Sequence, residues 1–132
     1  MNNVLKIFTA LAIIFILSSC EGNTTKEWTI NNDTSQTIYV TGNDKVLSVS
    51  INESISAGDS KTILVTDMRG GTDQYQNPAD HLDSLVIINS NSDSTTKDYM
   101  IEANWEILID ERSSIPSDYL HTYDFHVTDN DF

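Results

Sequence analysis

The sequence has a single cysteine, Cys20, so a disulfide within the chain is excluded. Basic residues are also few: seven Lys and Arg face 20 Asp and Glu, which gives a formal net charge of −13 at pH 7. Such a charge excludes binding of nucleic acid or anionic lipid headgroups through a basic patch. The 132 residues show no internal repeat and no proline-rich linker, so the chain has room for one domain.

Long hydrophobic runs are absent as well. The apolar stretch 7–17 (IFTALAIIFIL) follows Lys6 and is interrupted only by Thr9. As a helix it would reach roughly 16 Å, which is too short for a hydrocarbon core of about 30 Å. A basic start, a short apolar stretch and then small residues are typical of a secretory signal. Residues 1–19 are therefore predicted to be a helical signal peptide.

The residues at the end of this segment, Leu17-Ser18-Ser19-Cys20, resemble the lipobox of bacterial lipoproteins. That motif consists of an aliphatic residue, two small residues and a cysteine that becomes the lipidated N-terminus. The resemblance implies cleavage between Ser19 and Cys20 and acylation of Cys20. It also implies a lipid anchor in the outer membrane of the cell envelope, on the periplasmic or the surface face. Two or more acyl chains, at about 0.8 kcal/mol per buried methylene, hold a protein stably at a membrane.

The mature chain is expected to divide into a tether and one domain. Residues 21–26 (EGNTTK) carry no apolar side chain, so residues 20–26 are predicted to be the lipidated cysteine and a flexible tether. The β-domain is then expected to span residues 27–132. Loss of Lys6 from the seven basic residues leaves six against 20 acids, a formal charge of −14. This charge favours a well-solvated surface and attracts cations or basic partners.

Apolar and polar residues alternate in short segments of the mature chain. Turn residues separate these segments about every 8 to 12 residues, which predicts an all-β, antiparallel, immunoglobulin-like β-sandwich of about seven strands. Residues 55–60 (ISAGDS) are similar to the loop that enters a strand in many immunoglobulin-like domains. The residues expected on inward faces are Trp28, Ile30, Ile38, Val40, Leu47, Val49, Ile51, Ile63, Val65, Tyr119, Tyr123, Phe125 and Val127.

Three segments depart from simple alternation. Residues 84–89 are apolar on both faces, which predicts a central strand. Residues 99–109 alternate over about 36 Å of extended chain, so a bend, a bulge or a junction of two strands is expected near Ala103-Asn104. Residues 67–83 contain Gly70-Gly71 and Pro78 and are predicted to form a long irregular connection.

The three histidines limit the catalytic chemistry available to the chain. His81 lies in the long connection beside Asp80 and Asp83. His121 and His126 have opposite parity on the last strand, so they are expected to point to opposite faces. No nucleophile-elbow pattern surrounds any serine. The sequence therefore predicts a protein that is not an enzyme, and it assigns no catalytic residue.

Metal sites are weakly indicated. Zinc lacks a ligand set, because Cys20 is committed to lipid and the last two histidines diverge. Calcium takes oxygen ligands, which the loops supply, but no EF-hand spacing is present and the same residues favour turns without an ion. No metal or cofactor is therefore predicted. The oxygen-bearing candidates are Asn89, Asn91 and Asp93, the pair Asp67 and Asp73, and the terminal pair Asp129 and Asp131.

Two functions remain after these exclusions. The favoured one is a non-catalytic, membrane-anchored domain that binds a protein or polymer through residues 67–83 or a strand edge. Exposed aromatic residues can anchor a partner, and Tyr39 and Tyr75 are the candidates for this role. The alternative is a small envelope hydrolase or a calcium-dependent binding module. In the hydrolase, a histidine and an acid would line a concave site, either His81 with an adjacent aspartate or His121 with a nearby acid.

Overall fold

The computed structural model describes residues 21–70 and 73–132. The predicted signal peptide (1–19) and Cys20 lie outside the described residues. Within residues 21–70 and 73–132 three short 3-10 turns occur, at Pro78–His81, Glu102–Asn104 and Asp129–Asp131. In the described ranges no helix has the length and apolar character needed to cross a bilayer. The seven strands are β1 (Asn23–Asp33), β2 (Ile38–Asp44), β3 (Ser50–Ile55), β4 (Ser60–Arg69), β5 (Leu82–Asn89), β6 (Trp105–Ser114) and β7 (Ser117–Thr128).

The strands form two sheets, which confirms the predicted all-β sandwich of seven strands. One sheet has the order β4-β1-β7-β6 and the other the order β3-β2-β5. Every pairing is antiparallel except that of β1 with β7, which is parallel. β1 and β2 lie in different sheets, whereas the first two strands of a constant-type immunoglobulin domain share one. The strand order therefore differs from that of such domains.

The hydrophobic core lies between the sheets, where the inward faces of both meet. Trp28, Tyr123 and Phe125 are fully buried in the middle of the four-stranded sheet. They pack against Ile38 and Val40 of β2 across the interface. Burial of this apolar surface stabilises the domain at about 25 cal/mol per Å².

The predicted flexible tether 20–26 is wrong for most of its length. β1 begins at Asn23, and the side chains of Thr24 and Lys26 are fully buried. The cause is pairing on both sides, because β1 bonds β4 and β7 from its first residue. Gly22 is held too: its carbonyl accepts from Gly70 N at 2.9 Å, and a Cβ there would lie 2.0 Å from the Ser117 carbonyl oxygen.

The inward positions of two segments were predicted wrongly. Leu47 and Val49 lie in the β2–β3 loop and are exposed. Asp44 closes this loop at both positions. The Asp44 carboxylate accepts a hydrogen bond from Leu47 N, and the Asp44 N–H donates to the Val49 carbonyl. On β4, Leu64 is buried and Val65 is exposed. Leu64 lies opposite the inward Trp28, and residues directly opposite in an antiparallel pair share a face.

The central strand predicted at 84–89 is β5, an edge strand of the three-stranded sheet. Its apolar outer residue Val86 is half exposed. The break predicted near Ala103-Asn104 is confirmed, since a 3-10 turn at Glu102–Asn104 precedes β6. The connection between β4 and β5 is irregular over residues 73–77 and then forms the 3-10 turn Pro78–His81.

Candidate functional site

A layer of buried polar side chains continues the inward face of the four-stranded sheet beyond the apolar core. On β1 the inward alternation runs from Trp28 to Lys26 and Thr24, all fully buried. In register beside Lys26 lie His121 on β7 and Thr66 on β4. The described part of the β4–β5 connection hydrogen-bonds to this layer through Gln76. We call the following residues the polar cluster: Lys26, Asp73, Gln76, His81, His121 and Tyr123.

Gln76 is the hub of the polar cluster. Its side-chain oxygen accepts from Lys26 Nζ at 2.7 Å and lies 2.5 Å from His81 Nε2. An amide oxygen only accepts, so His81 carries its proton on Nε2. His81 Nδ1 is then a buried acceptor without a hydrogen-bond partner. Lys26 Nζ also lies 3.2 Å from Met68 Sδ. One glutamine thus fixes both the tautomer of the histidine and the direction of the lysine.

His121 occupies the other side of the polar cluster. Its Nδ1 lies 3.1 Å from Tyr123 Oη and its Nε2 lies 2.6 Å from Asp73 Oδ1. Tyr123 Oη donates to the Gln76 carbonyl at 3.2 Å. The imidazole is fully buried, whereas Asp73 is partly exposed at the surface. This chain of contacts joins the connection to the sheet and makes His121 a structural link.

Burial governs the protonation of the polar cluster. Desolvation lowers the pKa of His81, and the nearby Lys26 lowers it further. Desolvation also lowers the pKa of His121, against the opposing effect of Asp73. The pKa of Lys26 is lowered by burial, and that of Tyr123 is raised by it. The folded state therefore favours neutral imidazoles.

Acid is expected to destabilise the domain through these histidines. In the unfolded chain a histidine titrates near pH 6.5, and in the folded state the pKa values of His81 and His121 lie lower. Their contribution to stability is therefore full above that pH. It is lost as the pH falls towards the folded-state values, with a slope of at most about 1.4 kcal/mol per pH unit for each histidine.

Urea unfolding at a series of pH values between neutrality and mild acid measures this loss. The double variant His81→Gln/His121→Gln is the control, and its stability should change less over the same range. A wild-type protein as stable in mild acid as at neutral pH would contradict the expectation, as would an equal loss in the double variant.

The histidine–acid pairs considered from the sequence are only partly brought together. His81 is buried against Gln76, while Asp80 and Asp83 are exposed and make no hydrogen bond to it. The acid that reaches a buried histidine is Asp73, at His121. His121 and His126 point to opposite faces, as predicted. His126 is partly exposed and lies near Asp33 and Glu106, with ring nitrogens at 2.7 and 3.5 Å from their carboxylates.

Most of the oxygen-bearing side chains considered for calcium make hydrogen bonds or an ion pair within the protein. Asn89 Oδ1 accepts from the backbone N–H groups of Asn91 and Asp93, each at 2.9 Å. Asp131 caps Thr128, and Asp129 accepts from the backbone and hydroxyl of Ser35. Asp67 accepts from Thr25 Oγ1 at 2.7 Å, and Asp73 pairs with His121. Among residues 21–70 and 73–132 no three His, Cys, Asp or Glu side chains converge on a point that could hold a metal ion.

A groove of about 410 Å³ opens beside the polar cluster, and its lining is more apolar than polar. One wall is the β2–β3 loop and the other is β4, an edge strand of its sheet. Two buried polar atoms in its lining side chains, Thr66 Oγ1 and His81 Nδ1, have no hydrogen-bond partner. We call this cavity the β4 groove; its lining residues are Val46, Leu47, Val65, Thr66, Asp67, Met68, Gln76 and His81.

Both tyrosines selected from the sequence are exposed, Tyr39 by 44% and Tyr75 by 43%. Tyr75 is held in place: its Oη donates to Glu102 Oε1 at 2.6 Å, which raises the pKa of Tyr75 to about 12. Neither tyrosine lines the β4 groove.

Sequence reasoning missed Lys26, Gln76 and Thr66. A signal for Lys26 was present, since the period-two alternation of Trp28 and Ile30 extends back through Lys26 and Thr24. The position of Gln76 depends on how the connection folds over the sheet, and no local pattern marks it.

Neither protein-family models nor curated proteins match this chain.

Proposed function

We propose that the protein is a lipid-anchored component of the cell envelope with a non-catalytic binding domain, and that the β4 groove is its binding site. The resemblance of Leu17-Ser18-Ser19-Cys20 to a lipobox supports the anchor. The groove supports the binding role because it combines exposed apolar walls with two buried polar atoms, Thr66 Oγ1 and His81 Nδ1, that have no hydrogen-bond partner. Buried polar atoms are usually satisfied, so such a pair favours a ligand that supplies hydrogen bonds.

The walls of the groove indicate how a partner would be recognised. Leu47 and Val65 are each roughly half exposed or more, and they suit an apolar side chain of the partner. β4 is an edge strand of ten residues, so its outer edge can pair with an extended segment. In this arrangement backbone hydrogen bonds to β4 supply affinity. The apolar walls and the unpartnered polar atoms of Thr66 and His81 supply specificity.

The hydrolase alternative has one favourable observation, the buried contact of His121 with Asp73. Catalysis by such a pair requires a nucleophile next to the imidazole. The other nitrogen of His121 contacts Tyr123, and His81 contacts the Gln76 amide. In the described ranges no serine hydroxyl is hydrogen-bonded to either imidazole. The binding role is therefore the one we put forward.

The proposed site can be tested by photo-crosslinking in the native envelope. A photoreactive amino acid at Val65, in the groove wall, should give one product of defined mass. The matched control is Val86 on β5, which has the same exposure as Val65 (49% each) but lies outside the groove. Once the captured molecule is purified, Val65→Asp should weaken its binding by at least about tenfold, or 1.4 kcal/mol. Equal products at both positions, or unchanged affinity in Val65→Asp, would refute the assignment of the groove.

A further inference from the structure

Four segments meet at one end of the sandwich, which we call the N-terminal end. β1 starts there, and β2 and β4, which run the opposite way, finish there. The backbone contacts of Gly22 with Gly70 and Ser117 join three of the segments. Lys45 N donates to His81 O at 2.8 Å and joins the β2–β3 loop to the connection. The segments are residues 21–22, the β2–β3 loop (45–49), the β4–β5 connection and the β6–β7 turn (115–116).

This end must lie close to whatever holds Cys20. Only residues 21 and 22 separate Cys20 from β1, and Gly22 is already fixed against the sheet. Three extended residues span at most about 11 Å. A lipid on Cys20 would therefore bring the N-terminal end, and no other face of the domain, up to the bilayer surface.

The side chains exposed at this end are unusually apolar for so acidic a protein. In the β2–β3 loop Val46 is 61% exposed, Leu47 57% and Val49 48%, and Ile115 at the tip of the β6–β7 turn is 85% exposed. Apolar side chains on two loops at the same end of the domain suit the boundary between headgroups and acyl chains, where burial of a methylene contributes about 0.8 kcal/mol.

The charges at this end differ from those of the whole domain. Three of the six basic residues of the mature chain, Lys45, Arg69 and Arg112, are exposed there. The exposed acids there include Glu21, Asp67, Asp73 and Glu111, so the local charge is mixed. A mixed surface repels lipid phosphates less than one that is purely acidic.

We propose that the N-terminal end rests on the bilayer, with Val46, Val49 and Ile115 in contact with the lipid surface. This inference rests on the proposed lipidation of Cys20. It fixes the orientation of the domain, because β1 then runs away from the membrane. The β4 groove opens at the membrane-facing end of the domain, beside the β2–β3 loop. A partner would therefore be met at the membrane surface.

The test uses the full lipidated protein in phosphatidylcholine vesicles, with one new cysteine carrying the environment-sensitive fluorophore NBD. Val46→Cys and Ile115→Cys place the label at the N-terminal end. Ser56→Cys, exposed at the opposite end, is the matched control. Phospholipids with a nitroxide high on the acyl chain should quench labels 46 and 115 by about half, with a blue-shifted emission, and leave label 56 unaffected.

Each outcome has a definite meaning. Protein that stays with the vesicles but shows no quenching at 46 and 115 overturns the docking inference and leaves the anchor intact. Protein that does not stay with the vesicles and carries no acyl chain overturns the anchor, and the inference with it. A blue shift that grows with protein density but not with nitroxide lipid would assign this surface to a second copy of the chain. Val49→Cys repeats the test if either labelled variant melts early.

Discussion

Trp28→Ala should lower the free energy of unfolding by about 4 kcal/mol, a large share of the roughly 5–15 kcal/mol that stabilises a domain. Trp28 is fully buried on β1, the strand that bonds both β4 and β7. Its ring packs on Tyr123 and His81, with ring centroids 4.9 and 4.8 Å away. Its Nε1 donates to the Pro78 carbonyl at 3.0 Å. The substitution thus removes both core volume and the hydrogen bond to the β4–β5 connection.

Urea unfolding followed by circular dichroism measures the loss. Trp28→Phe separates the effect of the lost core volume from that of the lost hydrogen bond, because phenylalanine keeps most of the ring and cannot donate to Pro78. Its decrease in the free energy of unfolding should be about half that of Trp28→Ala. Val86→Ala, at a half-exposed position on β5, should change stability by no more than about 0.5 kcal/mol. A Trp28→Ala protein nearly as stable as Val86→Ala would mean that the sheets do not pack as described.

Cys20→Ala should abolish the membrane anchor altogether. If Cys20 is the acylated residue, its loss removes the acyl chains that the proposal assigns to the protein. Metabolic labelling with a radioactive fatty acid should fall to background. The protein should appear either as uncleaved precursor or as a form released from washed envelopes. The apolar contacts proposed at the N-terminal end are too few to retain it.

Ser19→Ala is the matched control for this experiment. Alanine keeps the small side chain that the lipobox pattern has at this position, so cleavage and acylation should continue. A Cys20→Ala protein that is cleaved normally and stays in washed envelopes would refute the lipidation of Cys20. Loss of labelling in both variants would show that the variants fail before the lipid is added.

The fold class could be predicted because it depends on local alternation, and the strand order could not. Tyr123, Phe125 and Val127 face inward as their spacing predicts. On β4, three consecutive apolar residues make the parity ambiguous. The pairing with β1 decides it, placing Leu64 rather than Val65 inside. The order of the strands depends on contacts between segments that are distant in sequence. Local periodicity carries no information on such contacts.

The candidate site was predictable only in part. The opposite directions of His121 and His126 follow from parity on one strand. The polar cluster does not, because it forms where the connection folds back over the sheet and brings Gln76 to Lys26. A polar, lysine-containing stretch is typical of a tether, and Lys26 is buried here because Gln76 and Met68 contact its amine.

Because β1 lies between β4 and β7, one of its two neighbours is the last of the seven described strands to be synthesised. Until residues 117–128 are complete, β1 has one unpaired edge and the four-stranded sheet cannot close. Sheets that join distant segments form slowly, since the loop between them must be closed first. A chain cut short before β7 would expose that edge to strands of other chains and tend to aggregate. If residues 1–19 direct export, as the sequence predicts, the same delay favours a chain that is still unfolded when it is exported.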